Sequence, residues 1–183
     1  MSGAPGPARP RALAALAVAA LAALALGDVL RGRLLFERDL VGLFWEMCAA
    51  FGRSLAMGSP PLWDPWAGFG QPMLANPAAQ VAYPPTWLNL LVGPEDYYSI
   101  YAVGHLLLAS LGVLALASAL GLGAGAAGVA AATWTLSGPL LSYVSLWHHF
   151  AGAAWMPWVL LCAERCARRP SGRRVVAWAA VSA

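Results

Sequence analysis

The chain has 183 residues, of which 60% are hydrophobic and 10% charged, with a net charge of +3 and no lysine. Soluble domains carry about 25% charged residues, so this composition excludes a water-covered globular domain and points to an integral membrane protein. The 11 arginines form no basic stripe through a polar domain, which excludes a nucleic-acid-binding surface.

Residues 1–11 read as a short cytoplasmic tail. Residues 12–30 follow Arg9 and Arg11 and hold no charge before Asp28. About 20 apolar residues cross a bilayer core, so this run predicts a first span. Ala25-Leu26-Gly27 also fits a small-x-small signal-peptide cleavage site. The apolar segments downstream favour an uncleaved anchor. Either way, residues 31–97 form an outer loop.

That loop has two parts. Leu40, Val41, Leu43, Phe44, Met47, Cys48, Phe51 and Leu55 recur at helical spacing, with Asp39, Glu46 and Arg53 interleaved. The pattern predicts an amphipathic helix along the membrane surface, its apolar face toward lipid or the neighbouring spans. Asp39 and Glu46, seven apart, share a helix face about 10 Å apart. Asp39 has two compatible readings. It is a favoured N-cap ahead of an apolar-periodic run. It is also a carboxylate at the bilayer edge, placed to take a proton from an acceptor hydroxyl or to bind a metal.

The second part, residues 61–85, is dense in Pro, Gly and aromatics. Its prolines forbid a membrane helix and restrict the backbone, so the loop can hold one shape. Trp63, Trp66 and Tyr83 suit a membrane-interface belt, or aromatic platforms for a sugar ring or an isoprenoid chain. Asn76 and Gln80 follow a turn and either cap a short helix or hydrogen-bond hydroxyls.

Further spans are predicted over 98–120, 126–144 and 150–167. Gly121 to Gly125 makes a tight turn, and Gly121, Gly125, Gly128 and Ala132 offer small-xxx-small packing. Pro139 and Pro157 predict kinks. His105 lies inside the second span and faces the bundle interior. Trp147-His148-His149 falls in an outer turn, where the histidines are either solvated interfacial groups or metal ligands with a loop carboxylate. Cys48, Cys162 and Cys166 make neither a disulfide framework nor a zinc spacing. Arg165, Arg168, Arg169, Arg173 and Arg174 share the side of Arg9 and Arg11, which the positive-inside rule makes cytoplasmic. Six of the eight acidic residues fall in the 31–97 loop, in agreement. Residues 175–183 open a fifth span, so the chain reads as the N-terminal part of a longer protein.

The ordered set Arg38-Asp39-Leu40, Pro61-Leu-Trp-Asp-Pro65, Gly68 to Pro72, Leu74-Ala-Asn-Pro77, Tyr83-Pro84, Ser137-Gly138, His148 or His149, and Trp155-Met-Pro157 running into Glu164 resembles the YfhO-type bacterial membrane proteins. These belong to the glycosyltransferase C superfamily. Asp64 departs from the family's more frequent Asn, and Phe69 from its Gly. The resemblance implies an all-α, polytopic transmembrane bundle in the bacterial cytoplasmic membrane, N-terminus inside. It further implies transfer of a sugar from a polyprenyl-phosphate-linked donor to a cell-envelope glycan or polymer acceptor. Asp39 matches the family's acidic catalytic position. Glu46, Trp63, Asp64, Asn76, Gln80 and Tyr83 would line the substrate site, and His148 and His149 would serve a divalent metal ion. The alternatives are a transporter or flippase of lipid-linked precursors, or a non-catalytic membrane subunit. Transporters place ionisable groups near the midplane. Here the polar groups collect in the outer loops, which favours the enzyme.

Overall fold

A computed structural model describes residues 8–33 and 40–182. Among these the chain is mostly helical, with eight α-helices and one two-stranded ribbon. The helices are α1 (Ala8–Ala25), α2 (Gly27–Leu30), α3 (Glu46–Ala56), α4 (Pro94–Ala119), α5 (Ala124–Thr135), α6 (Gly138–Ser142), α7 (Trp147–Arg168) and α8 (Gly172–Ser182). The ribbon pairs β1 (Trp63–Asp64) with β2 (Gln71–Pro72). A π-helical turn, Leu40–Trp45, leads into α3, and 3-10 turns cover Pro84–Leu90 and Tyr143–Ser145.

The chain forms two compact units. A helical unit gathers the described parts of Met1–Gly27, Val103–Leu141 and Ala151–Ala183. A loop unit gathers the described parts of Asp28–Ala102 together with Ser142–Phe150.

Small residues set the packing of the helical unit. Val18, Leu114, Ala117, Ala127 and Ala131 form its buried cluster. Ala127, Ala131 and Thr135 recur every four residues, so they lie on one buried face of α5. Of the expected Gly121, Gly125, Gly128 and Ala132, Gly128 packs closely, since a Cβ there would meet Ala14 at 3.3 Å, whereas Gly121 and Gly125 are exposed. Gly121 instead ends α4 with φ +93°. There the Leu122 N–H reaches the Ala117 carbonyl at 3.0 Å and the Gly121 N–H the Ser118 carbonyl at 3.2 Å, a Schellman cap that favours glycine. Gly112 has a packing role. The Trp158 indole lies so close that a Cβ there would meet Nε1 at 2.7 Å. That approach lets Nε1 donate to the Leu108 carbonyl at 2.9 Å.

Among the described residues one helix, Pro94–Ala119, is long and apolar enough to cross a membrane. It coincides with the expected second span. The expected first span is interrupted at Leu26, between α1 and α2. The expected third span divides into α5, α6 and a 3-10 turn. The 12 residues of α5 rise only about 18 Å against a hydrocarbon core of about 30 Å. Pro139 falls in the first turn of α6, so it marks a break rather than a kink. Pro157, by contrast, sits inside an uninterrupted α7. The basic end of α7 is tied off locally. Arg168 pairs with Glu164, and Arg174 donates to the Arg169 and Arg165 carbonyls at 2.6 and 3.2 Å.

In the loop unit the apolar periodicity predicted from Leu40 onward closes a core. Leu40, Phe44, Met47, Ala50, Phe51 and Ser54 are buried, whereas Glu46 and Arg53 are exposed. The cover comes from the Pro/Gly/aromatic segment itself, since Ala50 and Phe51 pack with Met73 and Val81. Trp87 meets Phe51 edge-on at 5.4 Å and donates its indole N–H to the Val81 carbonyl at 2.9 Å. Such aromatic pairs add about 0.5–1.5 kcal/mol beyond area burial.

Candidate functional site

The loop unit holds a cleft of about 270 Å³ between the start of α3 and the β1–β2 ribbon. Gly42, Leu43, Glu46, Met47 and Arg53 line one wall, and Asp64, Trp66 and Gln71 the other. Local geometry explains each placement. Glu46 and Arg53 are seven apart on α3, which places both on one helix face about two turns apart. On the ribbon, Asp64 is registered opposite Gln71, and Trp63 opposite Pro72. Side chains alternate along a strand, so Asp64 and Gln71 share the cleft side and Trp63 points away from it. Trp63 lies over Gly70, where a Cβ would come within 2.7 Å of the indole nitrogen. Gly70 also has φ +93°, so two independent constraints require glycine there.

Asp64 is only 4% exposed. Its Oδ1 accepts the Trp66 N–H at 2.9 Å, a turn closed by the side chain. Its second oxygen has no donor among the described residues. The Arg53 guanidinium sits 4.7 Å from the centre of the Trp66 ring. Such a contact is worth about 0.5–1 kcal/mol at an exposed site. The cleft therefore presents two carboxylates, one cation, an amide and an indole around a small volume.

The remaining expected site residues lie elsewhere in the loop unit. Asn76 accepts the Ala78 N–H at 3.0 Å and closes a turn. Gln80 adopts φ +49°, in the left-handed region. Its Oε1 receives the Tyr101 hydroxyl at 2.9 Å, and the Trp147 carbonyl also faces that hydroxyl at 3.0 Å. Tyr83 is half-buried, and its backbone N–H donates to the Gln80 carbonyl at 2.9 Å. Trp147 is the centre of an aromatic cluster. It stacks on Tyr101 at 4.6 Å and Phe44 at 5.8 Å, with Tyr97 tilted against it at 5.4 Å.

His148 and His149 adjoin this cluster, their ring centres 4.1 Å apart. His148 packs against Phe44, and its Nδ1 is buried without a hydrogen-bond partner. Burial, and then the neighbouring His149, hold the His148 imidazole below its ordinary pKa. Among the described residues no three His, Cys, Asp or Glu side chains converge as a metal site. Burial pushes the Cys48 thiol up to about 12, which makes it a packing group rather than a nucleophile. Asp39 lies outside the described residues.

Thus Glu46 and Asp64 are brought together, while Gln80, Tyr83, His148 and His149 lie toward the aromatic cluster around Trp147. Trp66, one of the expected aromatic platforms, lines the cleft, whereas Arg53 and Gln71 complete it without having been expected to bind substrate. The Arg53 signal was present as its seven-residue spacing from Glu46. No family model, curated protein or solved structure matches this chain.

Proposed function

We propose that the chain is a polytopic membrane protein that transfers a sugar from a polyprenyl-phosphate-linked donor to a cell-envelope acceptor at the outer face of the bacterial cytoplasmic membrane. The observation that carries this reading is the cleft of Glu46, Arg53, Asp64, Trp66 and Gln71. Paired carboxylates, an amide and an indole are the groups that hold hydroxyl-rich rings. Further support comes from large apolar side chains left exposed on the helical unit, among them Leu16, Leu24, Val129 and Leu160. Lipid would cover them.

In the reaction, the acceptor oxygen attacks the anomeric carbon as the bond from that carbon to the phosphate oxygen breaks. The acceptor proton passes to the Asp39 carboxylate, which acts as general base, and polyprenyl phosphate departs with its negative charge.

The test is sugar transfer from a polyprenyl-phosphate-linked donor by full-length protein in vesicles. The Asp39→Asn variant should lose about 10²–10⁴-fold in kcat, the usual contribution of a positioned base. Full activity in that variant removes Asp39 from the mechanism, and absence of transfer by the unaltered protein removes the function.

A further inference from the structure

We infer that the cleft is a subsite for one unphosphorylated, hydroxyl-rich sugar ring, and so holds the acceptor rather than the phosphate end of the donor. The word acceptor rests on the transferase reading above; the ligand chemistry does not.

Hydrogen-bond complementarity is the first argument. Asp64 is buried and keeps one carboxylate oxygen unserved by the protein, and Glu46 faces it across the cleft. Ionised carboxylates only accept hydrogen bonds, so they require a ligand that donates them. Sugar hydroxyls donate, whereas the oxygens of an ionised phosphate do not.

Charge gives the second argument. Two carboxylates face one guanidinium, so a phosphate meets net repulsion. The Arg53 guanidinium is already laid on Trp66. The contact holds Arg53 at the cleft wall, where its N–H groups can donate to a ring oxygen or hydroxyl.

Size gives the third. Pockets for drug-sized ligands run about 300–1,000 Å³, and 270 Å³ lies just below that range. That is the scale of a single ring, with any further residues of a chain left outside.

The experiment is isothermal titration of the full-length protein with methyl glucoside, methyl mannoside and methyl galactoside, each against the corresponding 6-phosphate. At least one methyl glycoside should bind, with its 6-phosphate about tenfold weaker or worse. Asp64→Asn, a near-isosteric change, should weaken the glycoside about tenfold, as expected when a charge-assisted hydrogen bond becomes a neutral one. Trp66→Ala should weaken it similarly. An unchanged melting temperature in Asp64→Asn confirms the fold. If the phosphorylated sugars bind more tightly, if no glycoside binds, or if both variants retain full binding, the assignment is wrong. Transfer kinetics on the same preparations separate the two readings. A raised acceptor KM with unchanged donor KM in Asp64→Asn supports the acceptor assignment; a raised donor KM alone overturns it while leaving the transferase standing. Glycoside binding by a protein that transfers nothing leaves the sugar site standing and removes the transferase.

Discussion

In the helical unit, Ser110 and Thr135 bring their hydroxyls within 2.5 Å of each other while facing the Leu106 and Ala131 carbonyls of their own helices, and Trp158 donates to the Leu108 carbonyl. Every one of these polar groups serves helix packing. In the cleft of the loop unit, buried Asp64 spends one oxygen on its own turn and leaves the other without a protein partner. That second oxygen is not among the buried atoms left without a partner, so it faces the open cleft. A polar group that is matched internally serves folding, whereas one that opens into a cleft, as on Asp64, is available to a ligand. The aromatic cluster around Trp147 is an intermediate case. It lies in the loop unit, where its Tyr101 hydroxyl is satisfied internally while the His148 Nδ1 beside it is buried without a hydrogen-bond partner.

The sharpest way to break this comparison is Trp147→Ala. Trp147 is 5% exposed and contacts four aromatic side chains. Truncating a buried aromatic costs about 3–5 kcal/mol, read as a lowered midpoint in denaturant or thermal unfolding. If the cluster is structural, loss of stability should exceed any change in sugar affinity among molecules that remain folded. A variant of native stability that fails to bind sugar would make Trp147 part of the site.

Gly112 and Gly104 give a smaller contrast within α4. A Cβ at Gly112 collides with the Trp158 ring at 2.7 Å and crowds Pro157, whereas Gly104 faces open space. Overpacking should make Gly112→Val about 1–3 kcal/mol less stable. Gly104→Ala should gain about 0.5–1 kcal/mol, because it restricts the unfolded chain and strengthens the helix. Equal effects at the two positions would remove the case for close packing against Trp158.

How much of this was legible in the sequence varied with the range of the contacts. The helix after Asp39 could be read from the spacing of Leu40, Phe44, Met47 and Phe51, because a helix repeats locally. Its cover could not: Phe51 meets Met73 and Val81, which lie more than 20 residues on, and periodicity carries no information about such partners. The ribbon strands are two residues each, too short for alternation to register, so Gln71 was passed over though Asp64 was noticed. The break at the end of α5 was written as Ser137-Gly138-Pro139, three residues that disfavour helix continuation. Hydropathy alone ran through them as one span. The Trp147 cluster joins Phe44 to a helix beginning at Pro94, a long-range partnership that local spacing does not encode.

The smallest effect expected concerns His148, and it asks whether the aromatic cluster is closed to protons as well as to ligands. Its imidazole is held below the ordinary value by burial, with His149 adding to the effect. The folded state therefore resists protonation that the unfolded chain accepts near 6.5. Because the unfolded state then binds more protons, stability rises with pH through this window. The contribution is complete above the unfolded value and is lost as the pH falls through that value toward the lowered folded one. Thermal unfolding between about pH 8 and about pH 5 should show a midpoint that declines on acidification. In His148→Gln, which cannot gain charge, that decline should be visibly shallower. An identical decline in the two proteins would mean that the buried Nδ1 finds a proton acceptor when charged, and that the cluster is less closed than its packing indicates.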